Sequence, residues 1–436
     1  MKTGIGRKTT AIIGSGISGA SAAWALDPAH DVTLFEASAR PGGHTATVDI
    51  DYQGTPISVD TGFIVYNELN YPLLTALFRH LSVRTHTSEM SFALSLDNGR
   101  LEWSGQSYRA LFAQRRNLLS AGFHWMLHEV LRFNRQCLAD RASGHLNDKT
   151  IGEYIAWRGF SARFRDDYLV PMGAAIWSTP RASMLEFPAL AFVNFFDNHR
   201  LIYQDRPAWR TVTGGSRTYL GKLLAPLGQR VRLNEQVLEA RREHGKVLLR
   251  LSSGRIESFD YAVFAGHSNQ TLAILADASG DERAILSAVK FRPNRVVLHR
   301  DPALMPKRRA AWSAWNYLRS SRPGGESGIT MTYWMNRLQG IDPAKPLFIS
   351  LNPEREPKSE TVFGEWTYEH PQFDAAALAA QKRLALIQGR WNCHFAGAWT
   401  GYGFHEDGLR SGLEAASSLG ASMPWSARTH LPEAAE

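Results

Sequence analysis

Short apolar runs alternate with amphipathic segments at the start of this chain, and the alternation predicts an α/β fold. Residues 11–13 and 32–35 are apolar and short enough to be buried strands. Residues 20–26 have the apolar content of a helix that ends before Pro28. A strand, a helix and a second strand in this order predict one βαβ unit of a parallel sheet.

Further elements are predicted in the middle of the chain and near its C-terminal end. They are a strand at 231–237, a hairpin formed by 247–251 and 255–260, strands at 261–267 and 393–399, and a helix that starts at Leu409. Two long stretches separate these elements. In the first, apolar residues at helical spacing predict helices over 71–81 and 111–138. In the second, strand-like runs occur at 295–299, 328–334 and 346–350.

One apolar stripe in the first long stretch has two interpretations. Its members share a helical spacing, and they are Phe123, Trp125, Met126, Val130, Leu131 and Phe133. A buried core face is the simpler interpretation. A face that docks on a membrane surface, with Arg132 and Arg135 at its rim, is the alternative.

The turn after the first predicted strand carries glycines at the spacing of a dinucleotide-binding loop. Gly14 permits a tight turn, Gly16 lets the backbone approach a pyrophosphate, and Gly19 lets the helix pack closely on the strand. Phosphates would lie at the helix N-terminus, where Ser18 is a further candidate. Glu36 ends the second strand, where its carboxylate can accept hydrogen bonds from an adenosine ribose. The motif fits NAD or FAD, whereas the 2′-phosphate of NADP would favour a cation over Glu36.

A second glycine pair follows in the segment Arg40-Pro41-Gly42-Gly43-His44. With it, the chain resembles the superfamily of flavin-containing amine oxidases, protoporphyrinogen oxidases and phytoene desaturases, in which an R-x-G-G segment lies against FAD. More narrowly, residues 42–45, 60–67 and 403–408 resemble a bacterial branch of predicted NAD/FAD-binding oxidoreductases. The resemblance spans nearly the whole chain and implies FAD as the cofactor.

The resemblance also implies a two-domain architecture like that of amine oxidases. A Rossmann-like FAD-binding domain, discontinuous in sequence, would carry an inserted α+β substrate domain. The predicted segments are 8–66, 203–290 and 386–425 for the FAD-binding domain, 67–202 and 291–385 for the substrate domain, and 426–436 for a loose tail.

The same resemblance assigns cofactor contacts beyond the first glycine loop. A helix N-terminus aimed at the flavin N1–C2=O edge would stabilise the anion formed on reduction, and the backbone of Asp407, Gly408 and Leu409 is predicted there. Val237 is expected to contact the adenine. The remaining predicted cofactor residues are Ala37, Arg40, Gly42, Gly43, His44, Thr61, Gly62, Ala265, Gly266 and Gly397.

Four residues are candidates for catalysis by resemblance. Trp334 and Asn336 belong to a stretch typical of the bacterial branch and are predicted near the flavin face. Arg295 takes the approximate place of a lysine that amine oxidases of the superfamily hold near flavin N5. His44 could act as an acid or a base beside the flavin, or through its backbone. Because Cys393 precedes the glycine turn, the resemblance implies FAD that is not covalently attached.

The composition narrows the class of protein. The 436 residues are 44% hydrophobic and 21% charged, as in ordinary globular proteins with two sizeable cores. No apolar run approaches about 20 residues and the first residues lack an apolar stretch, so neither a transmembrane helix nor a signal peptide is expected. Two cysteines, without CxxC or HExxH spacing, predict no metal site, no disulfide framework and a cytoplasmic location. The formal charge of +8 comes without a nucleic-acid-binding motif, so no nucleic-acid partner is expected.

Three functions fit these observations. The first is an FAD-dependent oxidoreductase whose flavin accepts a hydride at N5 from a hydrophobic substrate. Members of the bacterial branch are often encoded beside genes similar to those of cyclopropane-fatty-acid synthases, which suggests an acyl-chain or lipid substrate and a desaturation reaction. A flavin amine oxidase that releases hydrogen peroxide and a non-catalytic flavin-binding protein are the alternatives. The sequence does not identify the electron acceptor.

Overall fold

The computed structural model describes residues 7–177, 179–320 and 330–425, and its elements are numbered here along the chain. The first segment contains β1 (Thr9–Ile13), α1 (Ile17–Leu26), β2 (Asp31–Phe35), β3 (Thr47–Tyr52), β4 (Thr55–Asp60) and β5 (Val65–Asn67). Next come α2 (Pro72–His80), β6 (Thr85–Ser88), β7 (Phe92–Leu96), β8 (Leu101–Ser104), α3 (Tyr108–Leu111), α4 (Ala121–Ala142), α5 (Ile151–Trp157), α6 (Ala162–Phe164), α7 (Val170–Trp177), α8 (Arg181–Leu185) and α9 (Ala189–Asn198).

The second half of the chain returns to short strands. It continues with β9 (Trp209–Val212), α10 (Arg217–Leu224), β10 (Val231–Arg232), β11 (Val237–Glu243), β12 (Lys246–Leu251), β13 (Ile256–Phe259), β14 (Tyr261–Phe264), α11 (Ser268–Ile274) and α12 (Gly280–Leu286). It ends with β15 (Lys290–His299), β16 (Trp315–Arg319), β17 (Thr330–Trp334), α13 (Met335–Leu338), β18 (Phe348–Leu351), β19 (Val362–Gln372), α14 (Ala375–Gln381), β20 (Cys393–Phe395) and α15 (His405–Ser418).

The predicted βαβ unit lies in a five-stranded parallel sheet of order β10, β2, β1, β14, β20. Ile12 of β1 lies opposite Leu34 of β2 and Val263 of β14, and all three are fully buried. Strands of this kind are apolar throughout because helices cover a parallel sheet on both faces. β20 pairs with β14, so the first and last parts of the chain share one sheet. The predicted α/β class is confirmed.

A second large sheet has seven strands in the order β19, β15, β18, β17, β16, β7, β8. β7 and β8 come from the first long stretch of the chain and the other five strands from the second. The neighbours are antiparallel except for β16 and β7. An apolar core joins this sheet to residues of α4, α5, α7 and α9, including Phe123, Tyr154 and Phe192.

The prediction of one helix over 111–138 is wrong at the start of that helix. The chain forms α3, then a 3₁₀ turn at Arg115–Leu119, and α4 begins only at Ala121. The Ser120 Oγ accepts a hydrogen bond from the Phe123 N–H at 3.3 Å, and this cap fixes where α4 begins.

The predicted core stripe on α4 is only partly a core stripe. Phe123, Met126 and Phe133 are buried, as that interpretation requires, but Trp125 and Leu131 are exposed. The core interpretation is therefore wrong for these two residues.

Two other predicted boundaries differ from the structure. The strand expected at 231–237 ends at Arg232, because Asn234 has φ of 55° and turns the chain, and Val237 starts β11 in a separate three-stranded sheet. The helix expected from Leu409 begins at His405. Residues 328–329 of one predicted strand and the predicted tail at 426–436 lie outside the described residues. Within the described part of the chain, no helix is long and apolar enough to cross a membrane.

Candidate functional site

The first glycine loop has the geometry that its sequence predicts. Gly14 has φ of 102°, and its N–H donates to the Phe35 carbonyl at 2.9 Å, which extends the pairing of β1 and β2 to the start of the turn. A Cβ atom at Gly19 would lie 1.9 Å from the Gly14 carbonyl oxygen, so only glycine fits there. A Cβ atom at Gly16 would meet no protein atom within 4 Å. Gly16 therefore borders the space into which a phosphate could fit.

The N-terminus of α1 is free to bind an anion. No side chain caps the helix, and its first turn contains no acidic residue. The first N–H groups of a helix have no partner within the helix, and they carry partial positive charge. The open glycine loop and the uncapped helix together fit the pyrophosphate of a dinucleotide.

Glu36 follows β2 and is held in place by two serines. Its Oε2 accepts from the Ser15 N–H at 3.1 Å and from the Ser15 hydroxyl, and its Oε1 accepts from the Ser38 N–H at 2.9 Å. The side chain is half-buried, and Ala37 beside it is exposed. A carboxylate fixed at this edge of the sheet suits the ribose hydroxyls of an adenosine.

The second glycine loop is braced by Arg40. Its guanidinium donates to the carbonyl of Gly43 at 2.8 Å and to that of Thr45 at 2.9 Å. Gly42 has φ of 110°, and its N–H donates to the Ser15 Oγ at 2.9 Å, which joins the two glycine loops. The structure thus uses the Arg40 side chain to shape the loop that the sequence assigns to the cofactor.

Thr61 and Gly62 bring the chain back against this loop. A Cβ atom at Gly62 would lie 2.1 Å from the His44 carbonyl oxygen, which accepts from the Phe63 N–H at 2.7 Å. The Thr61 hydroxyl lies 2.8 Å from the phenol oxygen of Tyr368 on β19. This contact connects the glycine loops to the seven-stranded sheet.

His44 lies among other rings where the two large sheets meet. Its ring centre is 5.1 Å from that of Tyr368, 5.3 Å from that of His370 and 6.5 Å from that of His267. The His44 Nε2 is buried and has no hydrogen-bond partner among the described residues. Burial and the neighbouring histidines hold the pKa of His44 well below its usual range, so the ring is neutral.

The tautomer of His370 is set by a chain of amides. The Arg295 N–H donates to the Asn352 Oδ1 at 2.9 Å, so the Asn352 Nδ2 must be the donor to the Asn294 Oδ1 at 2.8 Å. The Asn294 Nδ2 then donates to the His370 Nδ1 at 3.0 Å. Because Nδ1 accepts, the proton of the neutral ring is on Nε2. Burial lowers the pKa of His370 to about 4, which keeps the ring neutral.

Ala265 and Gly266 lie directly beside the first glycine loop. The Ala265 N–H donates to the Ile13 carbonyl at 2.8 Å, and a Cβ atom at Gly14 would lie 3.1 Å from the Ala265 carbonyl. The Gly266 carbonyl accepts from the Trp399 Nε1 at 3.2 Å. The two residues therefore connect the predicted pyrophosphate loop to the C-terminal segment.

The N–H groups that are free at the start of α15 only partly match the prediction. The Gly408 N–H already donates to the Phe404 carbonyl at 3.1 Å, so the unpaired N–H groups of the first turn belong to His405, Glu406 and Asp407. Leu409 is fully buried. Of the three residues predicted to contact the flavin through the backbone, only Asp407 has an N–H group that is not bonded within α15.

Gly408, Gly397 and Ser18 shape the packing around α15. A Cβ atom at Gly408 would lie 2.8 Å from the Ile17 side chain and 3.1 Å from the Ser18 Oγ, so α1 and α15 are in contact here. The Gly397 N–H donates to the Ser411 Oγ at 2.9 Å. The Ser18 side chain is buried under α15, which leaves its backbone N–H as the group available to a phosphate.

Three of the four predicted catalytic residues lie apart from the rings around His44. The Arg295 guanidinium pairs with Glu365 at 2.6 Å and Glu356 at 2.7 Å. Neighbouring residues of a strand face opposite sides, and Asn294 is the one that faces His370. The prediction that Arg295 lies at the flavin is therefore corrected.

Trp334 and Asn336 bond to each other and to a loop. The Trp334 Nε1 donates to the Asn336 Oδ1 at 3.0 Å, and the indole packs in a small apolar cluster with Met305, Trp312 and Phe348. The Asn336 Nδ2 donates to the carbonyls at positions 342 and 345, at 2.8 Å each. The structure gives both side chains a bracing role and does not bring them to His44.

Sequence reasoning missed several residues around His44. They are His267, Asn294, Asn352, Tyr368, His370, Tyr219, His405 and Glu406. Tyr368 and His370 are two residues apart on β19, a spacing that places both on one face of a strand. That spacing was a usable signal, but it does not reveal which face adjoins the glycine loops.

Comparison with known proteins gives the family and the fold. The sequence profile described as Flavin containing amine oxidoreductase matches residues 17–295. The CLA-producing fatty acid isomerase from P. acnes shares 17% identity and a TM-score of 0.65, over 94% of this chain and 98% of its own. Cyclohexylamine oxidase from Brevibacterium oxydans IH-35A shares 18% identity and a TM-score of 0.65, over 95% and 98%. Putrescine oxidase bound to putrescine shares 16% identity and a TM-score of 0.65, over 95% and 99%. No curated protein matches.

The structural similarities show a shared fold along nearly the full length of each chain. The profile match covers more than half of this chain and includes α1, the Arg40 loop and the strands around Val237 and Ala265. The chain therefore belongs to the flavin-containing amine oxidoreductase family and is a flavin-dependent oxidoreductase.

Proposed function

We propose that this chain holds FAD without a covalent bond and oxidises a hydrophobic substrate that carries a hydrogen-bond acceptor, most simply an acyl chain or other lipid. Residues 8–66, 203–290 and 386–425 would form the FAD-binding domain, and 67–202 and 291–385 the substrate domain. The bound flavin would supply the redox step by accepting a hydride from the substrate. The observation that carries the substrate class is that the site presents neutral side chains while its carboxylates are already engaged.

Three groups that would hold FAD lie on the first and last of these segments. The uncapped N-terminus of α1 suits the pyrophosphate, and Glu36 suits the adenosine ribose. The free N–H groups at the start of α15 would donate to the electron-rich edge of a reduced flavin, while Glu406 and Asp407 in the same turn offset part of the helix charge. Each group is a feature of the protein alone, and the three together match the two halves of FAD.

The buried carboxylates near the site already have hydrogen-bond partners, and Glu369, which is partly exposed, lies 3.3 Å from the His267 Nδ1. Asp60 accepts from Ser216 at 2.8 Å and from Gln339 at 3.0 Å. Glu406 accepts from the N–H groups of Leu73 at 2.7 Å and Leu74 at 3.0 Å. Asp407 accepts from the N–H groups of Tyr402 and Phe404 and pairs with Arg410. An amine substrate would have to compete with these partners for a negative charge.

His370 instead offers a neutral donor. Its Nε2–H has no hydrogen-bond partner among the described residues, and an N–H of this kind pairs with a carbonyl, ester or carboxylate oxygen. An ammonium group has only donors and cannot accept from it. The donor on His370 therefore favours a substrate with an oxygen acceptor.

His44 is the candidate base. Desaturation removes two hydrogens from neighbouring carbons, one as a hydride and one as a proton, and forms the C=C bond. The His44 ring is neutral and its Nε2 has no partner among the described residues, so in the tautomer that carries its proton on Nδ1 this atom would accept the substrate proton. His370 would then hold the substrate while His44 takes its proton.

Anaerobic reduction of the flavin-loaded protein tests this proposal. Fatty acids or acyl esters should bleach the oxidised flavin absorbance, and His370→Phe should raise the acyl concentration needed for half-reduction by at least about fivefold, with unchanged flavin content. One lost hydrogen bond of this kind contributes about 1 kcal/mol, or more to a charged group. Denaturation and filtration should release the flavin into the filtrate, because no covalent bond is expected.

Amine oxidation is the second candidate, since two amine oxidases share the fold. Peroxide release and flavin reduction with a panel of amines, and none with acyl compounds, would replace the first proposal with this one. A flavin that neither class reduces would point to a non-catalytic flavoprotein.

A further inference from the structure

We infer that the turn before α4 and the outer face of α4 form a surface that docks on a bilayer of anionic phospholipid. We define this docking face by its apolar residues, Leu118, Leu119, Trp125 and Leu131, and its cations, Arg115, Arg116 and Arg135. The inference concerns attachment of the protein and does not depend on which substrate the flavin site takes.

The apolar residues of the docking face are unusually exposed. The exposed fractions are 52% for Leu118, 92% for Leu119, 54% for Trp125 and 57% for Leu131. A single exposed leucine is ordinary, but four large apolar residues within one turn and the helix that follows it are not.

The residues lie on one side of the molecule. The His124 Nε2 lies 2.9 Å from the Leu118 carbonyl oxygen, which ties the 3₁₀ turn to the first turn of α4. Trp125 stacks on His128 with ring centres 5.2 Å apart, and Leu131 lies one turn after His128 among the exposed residues of α4. The exposed leucines of the 3₁₀ turn therefore adjoin the exposed side of α4.

The positive charge around the docking face favours an anionic bilayer over an uncharged apolar partner. Residues 106–139 contain five arginines and a single acidic residue, Glu129. Glu129 is buried and accepts from the Ser161 N–H at 2.8 Å, so the docking face presents no carboxylate. Apolar side chains surrounded by arginines match the lipid tails and the negative headgroups of an anionic membrane surface.

A cationic cavity lies at the same end of α4. It has a volume of about 190 Å³ and is lined by Arg100, Leu101, Arg116, Asn117, Ser120 and Arg163. Arg100 pairs with Asp97, and the Arg163 Nε lies 3.4 Å from an Asp167 carboxylate oxygen, so two of the three arginines in the cavity are already ion-paired. A lipid phosphate in this cavity would place its acyl chains beside Leu118 and Leu119.

Vesicle sedimentation tests the docking face on the flavin-loaded full chain. The protein should bind vesicles of phosphatidylcholine with about one third phosphatidylglycerol at least tenfold more tightly than vesicles of phosphatidylcholine alone, and high salt should reduce the difference. Leu119→Ser with Trp125→Ser, and separately Arg115→Gln with Arg116→Gln, should each weaken binding roughly tenfold. Ile256→Ser removes an exposed apolar side chain on β13 and should leave binding unchanged.

Three results would overturn the inference. The first is equal binding of the wild type to both kinds of vesicle, or to neither. The second is wild-type binding by the Leu119→Ser, Trp125→Ser variant, whose thermal stability must match the wild type. The third is retention of an oligonucleotide, or of inorganic phosphate, without any binding to vesicles, which would assign the arginines to a soluble anion.

Discussion

Gly412 is a position where one methyl group would decide how two helices meet. A Cβ atom there would lie 2.1 Å from the Ser18 carbonyl oxygen of α1. Gly412→Ala should therefore separate α15 from α1 and lower the free energy of unfolding by at least about 2 kcal/mol, as for an overpacked core. Denaturant unfolding measures the loss, and the flavin content should fall as well.

Gly221 provides the matched control for this substitution. It lies in α10, is exposed, and a Cβ atom there would meet nothing within 4 Å. Gly221→Ala should be neutral or stabilise the protein by up to about 1 kcal/mol, because alanine is the better helix former. Equal destabilisation by both substitutions would contradict the packing argument.

Asn294 offers a second test at the level of a single side chain. Asn294→Asp replaces the amide donor to the His370 Nδ1 with a carboxylate, which favours protonated imidazole. In the wild type, burial lowers the pKa of His370 to about 4. Protonation of His370 should therefore cause no change in flavin absorbance near neutral pH. The variant should acquire an inflection at a higher pH. A pH titration of the flavin spectrum that is the same for both proteins would rule out the amide relay.

Local motifs could be predicted from the sequence because their chemistry is local. The glycine loop and Glu36 are fixed by steric demands within one βαβ unit. The predicted place of Arg295 differs from the structure because it depends on which residues of β15 lie on the same face of the sheet as His370 of β19. Side chains alternate between the two faces along a strand, and the pairing of β15 with β19 determines which face is which. Here Asn294, and not Arg295, contacts His370.

At the level of elements, Glu406 caps a helix that is remote in sequence. Its carboxylate accepts from the Leu73 and Leu74 N–H groups at the start of α2. Burial raises the pKa of Glu406 from 4.5 to about 7. A folded-state pKa above the unfolded value gives a stabilising contribution that is complete below pH 4.5 and is lost as the pH rises through about 7.

The expected result is a difference in pH dependence. Between pH 5 and 8, the unfolding free energy of the wild type should fall relative to Glu406→Gln, by up to about 3 kcal/mol, because glutamine does not titrate. Denaturant unfolding at several pH values measures this difference. Glu243→Gln, at the exposed end of β11, should keep the wild-type profile. A constant gap between wild type and Glu406→Gln would contradict the assignment.

Element boundaries were predicted least well where one side chain or one dihedral angle sets them. Ser120 ends the 3₁₀ turn and starts α4, although apolar spacing continues through the break. Asn234 turns the chain with φ of 55°, inside a run that has strand-like composition. In both places the apolar pattern indicates the type of element, and a polar residue determines where it ends.

At the scale of the whole molecule, the cofactor site should hold the fold together. Its proposed contacts come from three segments that are far apart in sequence, so FAD would bind the folded chain and not the unfolded one. Saturation at about a thousand times Kd should add about 4 kcal/mol to stability and raise the Tm. Thermal unfolding of the apoprotein with FAD measures this. Riboflavin, which lacks the adenosine diphosphate, should raise the Tm less, and an equal effect of both would contradict a site for the whole dinucleotide.

The position of β20 has a consequence for how the protein is made in a cell. β20 completes the parallel sheet beside β14, and α15 packs on α1, although α15 is synthesised long after α1. At typical rates of roughly 5–20 residues per second, the ribosome needs tens of seconds to reach this segment after α1 has emerged. During that time α15 does not yet cover the face of α1. A nascent chain is therefore expected to bind its flavin stably only after α15 has been synthesised.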